Sequence, residues 1–163
     1  MSWEISLEVK SVLKVFNQAE IEAKPGVVSG QTLKQLVGGV SKCPSERIRL
    51  SLATFEPGTH EPLHWHLIEA LYYVISGRAT MRDIEGKDHE LGPGSVVYAP
   101  PGFAGSHSWT IKEKLQLVSI RGSNDIETMY QFTVDEDSKR SFIDLDALNR
   151  LGAARFSKSL YTK

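Results

Sequence analysis

Hydrophobic and polar positions alternate in short runs through the middle of this chain, and the runs are separated by glycine and proline. The alternation predicts strands over Gln31–Val37, Arg47–Phe55, Ala70–Ser76, Ala79–Ile84, Ser95–Ala99, Ser106–Ile111 and Leu115–Arg121. Glu56-Pro57-Gly58, Gly92-Pro93-Gly94 and Pro100-Pro101-Gly102 break the pattern, because proline forbids ladder hydrogen bonds and glycine turns freely. Many short strands in succession predict an all-β sandwich or barrel. Residues 1–28 mix apolar and charged positions without a clean period and predict short strands or an arm. Asp144 as a cap, Leu145, Leu148 and Leu151 at helical spacing and Gly152 as a stop predict a short C-terminal helix over about 144–152.

Composition adds exclusions. A chain of 163 residues is the size of one domain. With 19 basic and 20 acidic residues it carries neither a basic stripe nor an acidic tail, so no nucleic-acid or membrane partner is expected. The N-terminus lacks the basic start and continuous apolar stretch of a signal peptide, and Cys43 has no second cysteine to pair with; a cytoplasmic protein is expected. Cys43, beside Pro44, reads as a loop thiol. A small-molecule substrate or ligand remains as the partner.

Chemistry concentrates in two stretches. In the first, His64 and His66 flank Trp65; a strand rises roughly 3.3 Å per residue and sends alternate side chains to one face, so the two imidazoles point the same way. Rings so placed can converge on one ion. The second stretch, GSVVYAPPGFAGSH, delivers His107.

Gly58, His64, His66 and Gly77, followed by Gly94, Pro100, Gly102 and His107, resemble the two motifs of the cupins. The resemblance covers about residues 47–121 and implies a cupin-type jelly-roll β-barrel. It departs from the family pattern in three places. His107 comes two positions late, Ile111 stands where the family has Asn, and Ala70 occupies the place of the family's acidic ligand, with the nearest carboxylate, Glu69, one residue early. Period-two parity turns Glu69 away from the face of His64 and His66 unless a bulge intervenes, so three histidines alone are expected to hold the metal, with Glu69 as the conditional fourth ligand.

Three neutral ligands leave a divalent ion several open positions for a chelating substrate. Iron(II) suits that arrangement, and zinc, nickel or manganese are the other metals considered. The resemblance extends to diketone-cleaving and thiol dioxygenases, which makes an iron(II) dioxygenase the first expectation. A non-catalytic binding or sensor module is the second. A zinc-dependent hydrolase or lyase, or a metal-free sugar isomerase or epimerase, comes after it. Parity places Trp109 and Ile111 beside His107, and Tyr72 and Val74 beside Ala70, as an apolar substrate pocket. His60, Tyr72 and Tyr98 are the candidate proton carriers, His60 having the parity of His64 although Pro62 lies between them. His89 is expected at the surface. Arg47 and Arg49 face outward if Ile48, Leu50 and Leu52 line the interior. Surplus N-terminal strands and family habit imply a homodimer, with residues 1–40 as an arm.

Overall fold

The structure, a computed structural model, describes residues 11–39, 41–122 and 131–143. Among these residues it has twelve strands in two antiparallel sheets. These are β1 (Lys24–Pro25), β2 (Gln31–Val37), β3 (Arg49–Phe55), β4 (His60–His66), β5 (Ala70–Ser76), β6 (Ala79–Asp83), β7 (Asp88–Leu91), β8 (Val96–Ala99), β9 (His107–Ile111), β10 (Leu115–Arg121), β11 (Gln131–Val134) and β12 (Ser141–Ile143). One sheet has the order β1-β2-β3-β10-β5-β8, the other β12-β11-β4-β9-β6-β7. Among the described residues no strand is shared between the sheets, so the expected closed barrel is corrected to two facing sheets with β1, β8, β12 and β7 at their edges. The expected helix over 144–152 lies outside the described residues.

The two sheets meet through one apolar core. Phe55, Tyr72, Val74 and Leu117 come from the first sheet and Met81, Trp109 and Ile111 from the second. Strand β5 shows how the sequence dictates this. Ala70, Tyr72 and Val74 are buried whereas Leu71, Tyr73 and Ile75 face outward, as a period of two requires. Strand β3 corrects one expectation. Ala53 and Phe55 enter the core, and Arg49, in step with them, shares the inner face instead of pointing out.

Two irregularities position the site. Between β5 and β6, Gly77 adopts φ +85°, and a side chain there would collide with the Lys114 carbonyl, so only glycine fits. In β4 the register against β9 slips: Glu61 pairs with Trp109 and His64 with His107, three residues on one strand against two on the other. That is a β-bulge containing Pro62, which has no N–H to offer a ladder.

Candidate metal centre

His64 and His107 are directly paired across β4 and β9, and His66 follows two residues on, so the strand ladder itself brings the three rings together. One ring nitrogen from each lies within 4.8 Å of the other two, and the rings are 1%, 7% and 3% exposed for His64, His66 and His107. A turn of 3-10 helix over Phe103–Gly105 accounts for the late arrival of His107. The Gly102 N–H donates to the His66 carbonyl at 2.8 Å, fastening that turn to the end of β4.

The hydrogen bonds define which nitrogens are bare. His64 Nδ1 lies 2.7 Å from the Pro62 carbonyl oxygen and His107 Nδ1 lies 2.8 Å from that of Gly105. A carbonyl only accepts, so both Nδ1 atoms carry hydrogen and both Nε2 atoms present lone pairs. Burial holds His64 down to about 4, and burial together with His64 holds His107 down to about 3. The rings are therefore neutral near pH 7, the state that metal ligation requires. Buried neutral imidazoles with oriented Nε2 atoms fit a divalent cation.

Three side chains surround this group. The Tyr72 hydroxyl stands 3.2 Å from His107 Nε2 and 3.5 Å from His66 Nε2. Arg121 donates to that hydroxyl at 2.9 Å and reaches His66 Nε2 at 3.4 Å. On the other flank, Glu61 Oε1 is 3.8 Å from His64 Nε2 and accepts from Gln131 Nε2 at 2.9 Å. Burial raises the Glu61 carboxyl above its ordinary value, opposed first by the Gln131 hydrogen bond. Burial also raises Tyr72, opposed by the Arg121 charge.

The remaining expected residues distribute unevenly. Trp109 packs edge-on against Tyr72, ring centroids 5.3 Å apart, and near His107 at 6.2 Å. Ala70, Val74 and Ile111 are fully buried members of the core. Glu69 is exposed and outside the histidine group. His60 is exposed and bonds Thr110 Oγ1 at 3.2 Å, because the bulge reverses its parity relative to His64. Tyr98 is 58% exposed on the outer face of β8. His89 is half-buried and pairs with Asp83 at 2.8 Å. Sequence reasoning missed Glu61 and Arg121. Pro62 inside a strand was the signal for the first, and the row Leu115, Leu117, Ser119, Arg121 the signal for the second.

Residues 51–120 match the family model described as the cupin domain. Among solved structures the chain is similar to the polyketide cyclase RemF from Streptomyces resistomycificus, at 16% identity over 88% of this chain and 99% of that one, with a TM-score of 0.61. KdgF from Halomonas sp. is similar at 19% identity over 71% and 99% of the two chains, TM-score 0.58. The DMSP lyase DddQ from Ruegeria pomeroyi is similar at 19% over 68% and 59%, TM-score 0.56. At these identities the likeness is one of fold. No curated protein sequence matches. Among the described residues no helix is long and apolar enough to cross a membrane.

Proposed function

Taking residues 51–120 as a cupin domain built around three converging histidines, we propose that the chain is a metal-dependent enzyme that transfers protons on a small chelating substrate. The observation that carries this reading is the placement of two proton-bearing groups on opposite flanks of the histidines, Tyr72 beside His107 and Glu61 beside His64. A divalent ion bound there supplies a Lewis acid that polarises a substrate oxygen.

The protein residues divide the remaining work. Tyr72, a neutral phenol held by Arg121, is the proton donor to an oxygen that gains charge. Glu61, whose carboxyl burial raises above its ordinary value and Gln131 steadies, accepts a proton from substrate carbon. One proton is taken and one given, so the chemistry is redox-neutral, of the enolisation or elimination class. Trp109 and Val74 wall the interior with apolar surface and keep water from competing.

Two neighbouring readings differ in their support. Iron(II) dioxygenase chemistry is the second reading, favoured by three neutral nitrogen donors with Glu69 outside the group. The non-catalytic module rested on the lack of an inward carboxylate, and Glu61 removes that ground.

The test loads metal-free protein separately with iron(II), zinc, manganese and nickel, and presents hydroxy-ketones and diketones in deuterated water. Expected is metal-dependent deuterium incorporation without dioxygen uptake, reduced about 10²–10⁴-fold in Tyr72→Phe or Glu61→Gln. Dioxygen uptake with iron and no exchange transfers the assignment to the dioxygenase; no turnover with any metal removes both.

A further inference from the structure

Arg121 is a cation in an unusual place. It is 8% exposed, stands at the inward end of β10, and directs one guanidinium nitrogen at Tyr72 and His66. Its ring-facing geometry, 5.0 Å from guanidinium carbon to the Tyr72 centroid, keeps the fork against the site. Among the described residues no carboxylate forms an ion pair with it. Glu61 lies within electrostatic reach of Arg121, and its Oε1 is already engaged by Gln131. An unpaired guanidinium inside a protein is costly unless something anionic completes it.

A second arginine compounds that cost. Arg49 is the register partner of Arg121 across β3 and β10, so both project from the same inner face. Like charges directly opposite on a sheet repel, and Arg121 indeed acts with burial to hold Arg49 below its ordinary range. Gln35 Oε1 accepts from Arg49 Nε at 2.8 Å and fixes its direction without neutralising it. Arg49 also borders a half-open groove of about 450 Å³ that Glu20, Glu22, Leu33 and Gln35 help to line. Arg49 lines that groove, and its register partner Arg121 contacts the histidine group.

We infer that Arg121, with Arg49 behind it, forms a carboxylate subsite of the histidine centre, so that the substrate is a small organic acid. The inference rests on the proposed metal-dependent reading and names its substrate class. Planar guanidinium forks match a carboxylate bidentately, and Arg121, 3.4 Å from His66 Nε2, stands close enough to the histidines for a neighbouring oxygen of the same molecule to reach the metal position.

Cobalt(II)-loaded full-length protein provides the test, because the visible absorption of cobalt reports the centre without turnover. Lactate and lactamide are the probes, alike in shape and differing in charge. Expected is at least tenfold tighter binding of lactate. Arg121→Gln loses that preference while keeping cobalt, Arg121→Lys recovers part of it, and Arg49→Gln costs several-fold. Equal binding of the two probes, or an Arg121→Gln protein that still prefers lactate, overturns the subsite. Should Arg121→Gln fail to fold by circular dichroism, Arg49→Gln decides: an undiminished preference overturns the inference. If cobalt does not bind at all, the metal-dependent reading fails separately. The subsite is then read in metal-free protein as a lactate-induced rise in Tm, whose presence in wild type and absence in Arg49→Gln upholds it and whose absence in wild type sinks it.

Discussion

His64 and His107 form a cross-strand pair whose ring centroids are 4.5 Å apart. The contact is edge-on and fully buried, with each Nδ1 tied to a backbone carbonyl. Neither ring can therefore be lost without leaving the other beside a cavity and an incomplete donor set. His107→Ala and His64→Ala are expected to reduce metal affinity at least about 100-fold, measured by competition with a chromogenic chelator. Glu69→Ala, altering an exposed residue outside the group, is expected to leave affinity unchanged; a comparable loss there would show that the donor set is misassigned.

The same burial makes the metal-free fold sensitive to acid. The ordinary imidazole value is 6.5, and the folded protein holds His64 at about 4 and His107 at about 3. Between these limits the unfolded chain binds more protons than the folded one, so stability is complete above 6.5 and falls as pH falls through the folded values. The loss attributable to His64 is on the order of 3 kcal/mol when the window has been crossed. Urea midpoints of metal-free protein should drop between about pH 7 and pH 5, and His64→Gln should flatten the slope.

Glu61 shows the opposite sign. Its folded value is raised by burial, so its contribution to stability is present when the carboxyl is protonated and is lost as pH rises. Glu61→Gln keeps an oxygen for Gln131 and removes the buried charge. The variant is expected to be at least as stable as the parent near neutral pH, while proton transfer is lost. A destabilised Glu61→Gln would indicate that a neighbour more than compensates the buried carboxylate charge.

The outer face of the first sheet is apolar where a solvated face is normally polar. Leu71 and Tyr73 of β5 face outward beside their partners Tyr98 and Val96 of β8, with Ile120 adjoining them. Strand β8 is moreover an edge without charge, whereas the edge strand β7 carries Asp88 and Glu90. A second copy of the chain is the expected cover. Sedimentation should show a dimer at micromolar concentration and a folded monomer for Tyr73→Glu; a wild-type monomer would exclude the pairing.

Legibility of the molecule from its residues followed regularity. Strands β2, β5 and β10 ended where Gly38, Gly77 and Gly122 follow them, and strict alternation on β5 placed Ala70, Tyr72 and Val74 inside. His64, His66 and His107 were legible because an HxH pair on a strand faces one way and glycine-rich turns bracket both stretches. Glu61 was hidden because its inward aim depends on a bulge, which displaces His60 from the position parity assigned it. Arg49 was misdirected because Leu52 and Ala53 are both buried and only the second joins the core, so apolar character alone did not identify the inner face. Barrel closure was beyond reach for a different reason: strand existence is a local property, but which edges pair depends on contacts distant in the chain. The late histidine and the tyrosine at residue 98 illustrate both sides, the first delivered by a turn that Pro100 and Gly102 announced, the second sent outward by the alternation of an edge strand.

The bulge at Pro62 and the turn at Gly105 have a kinetic corollary. Each aims a main-chain oxygen at the Nδ1 of a histidine two residues ahead, so the tautomer is locked before any ion arrives. An incoming cation then meets two rings, His64 and His107, that require neither proton migration nor reorientation, and little ordering entropy stands in its way there. Uptake should accordingly be governed by diffusion through the protein to the rings, with a rate insensitive to buffer catalysis.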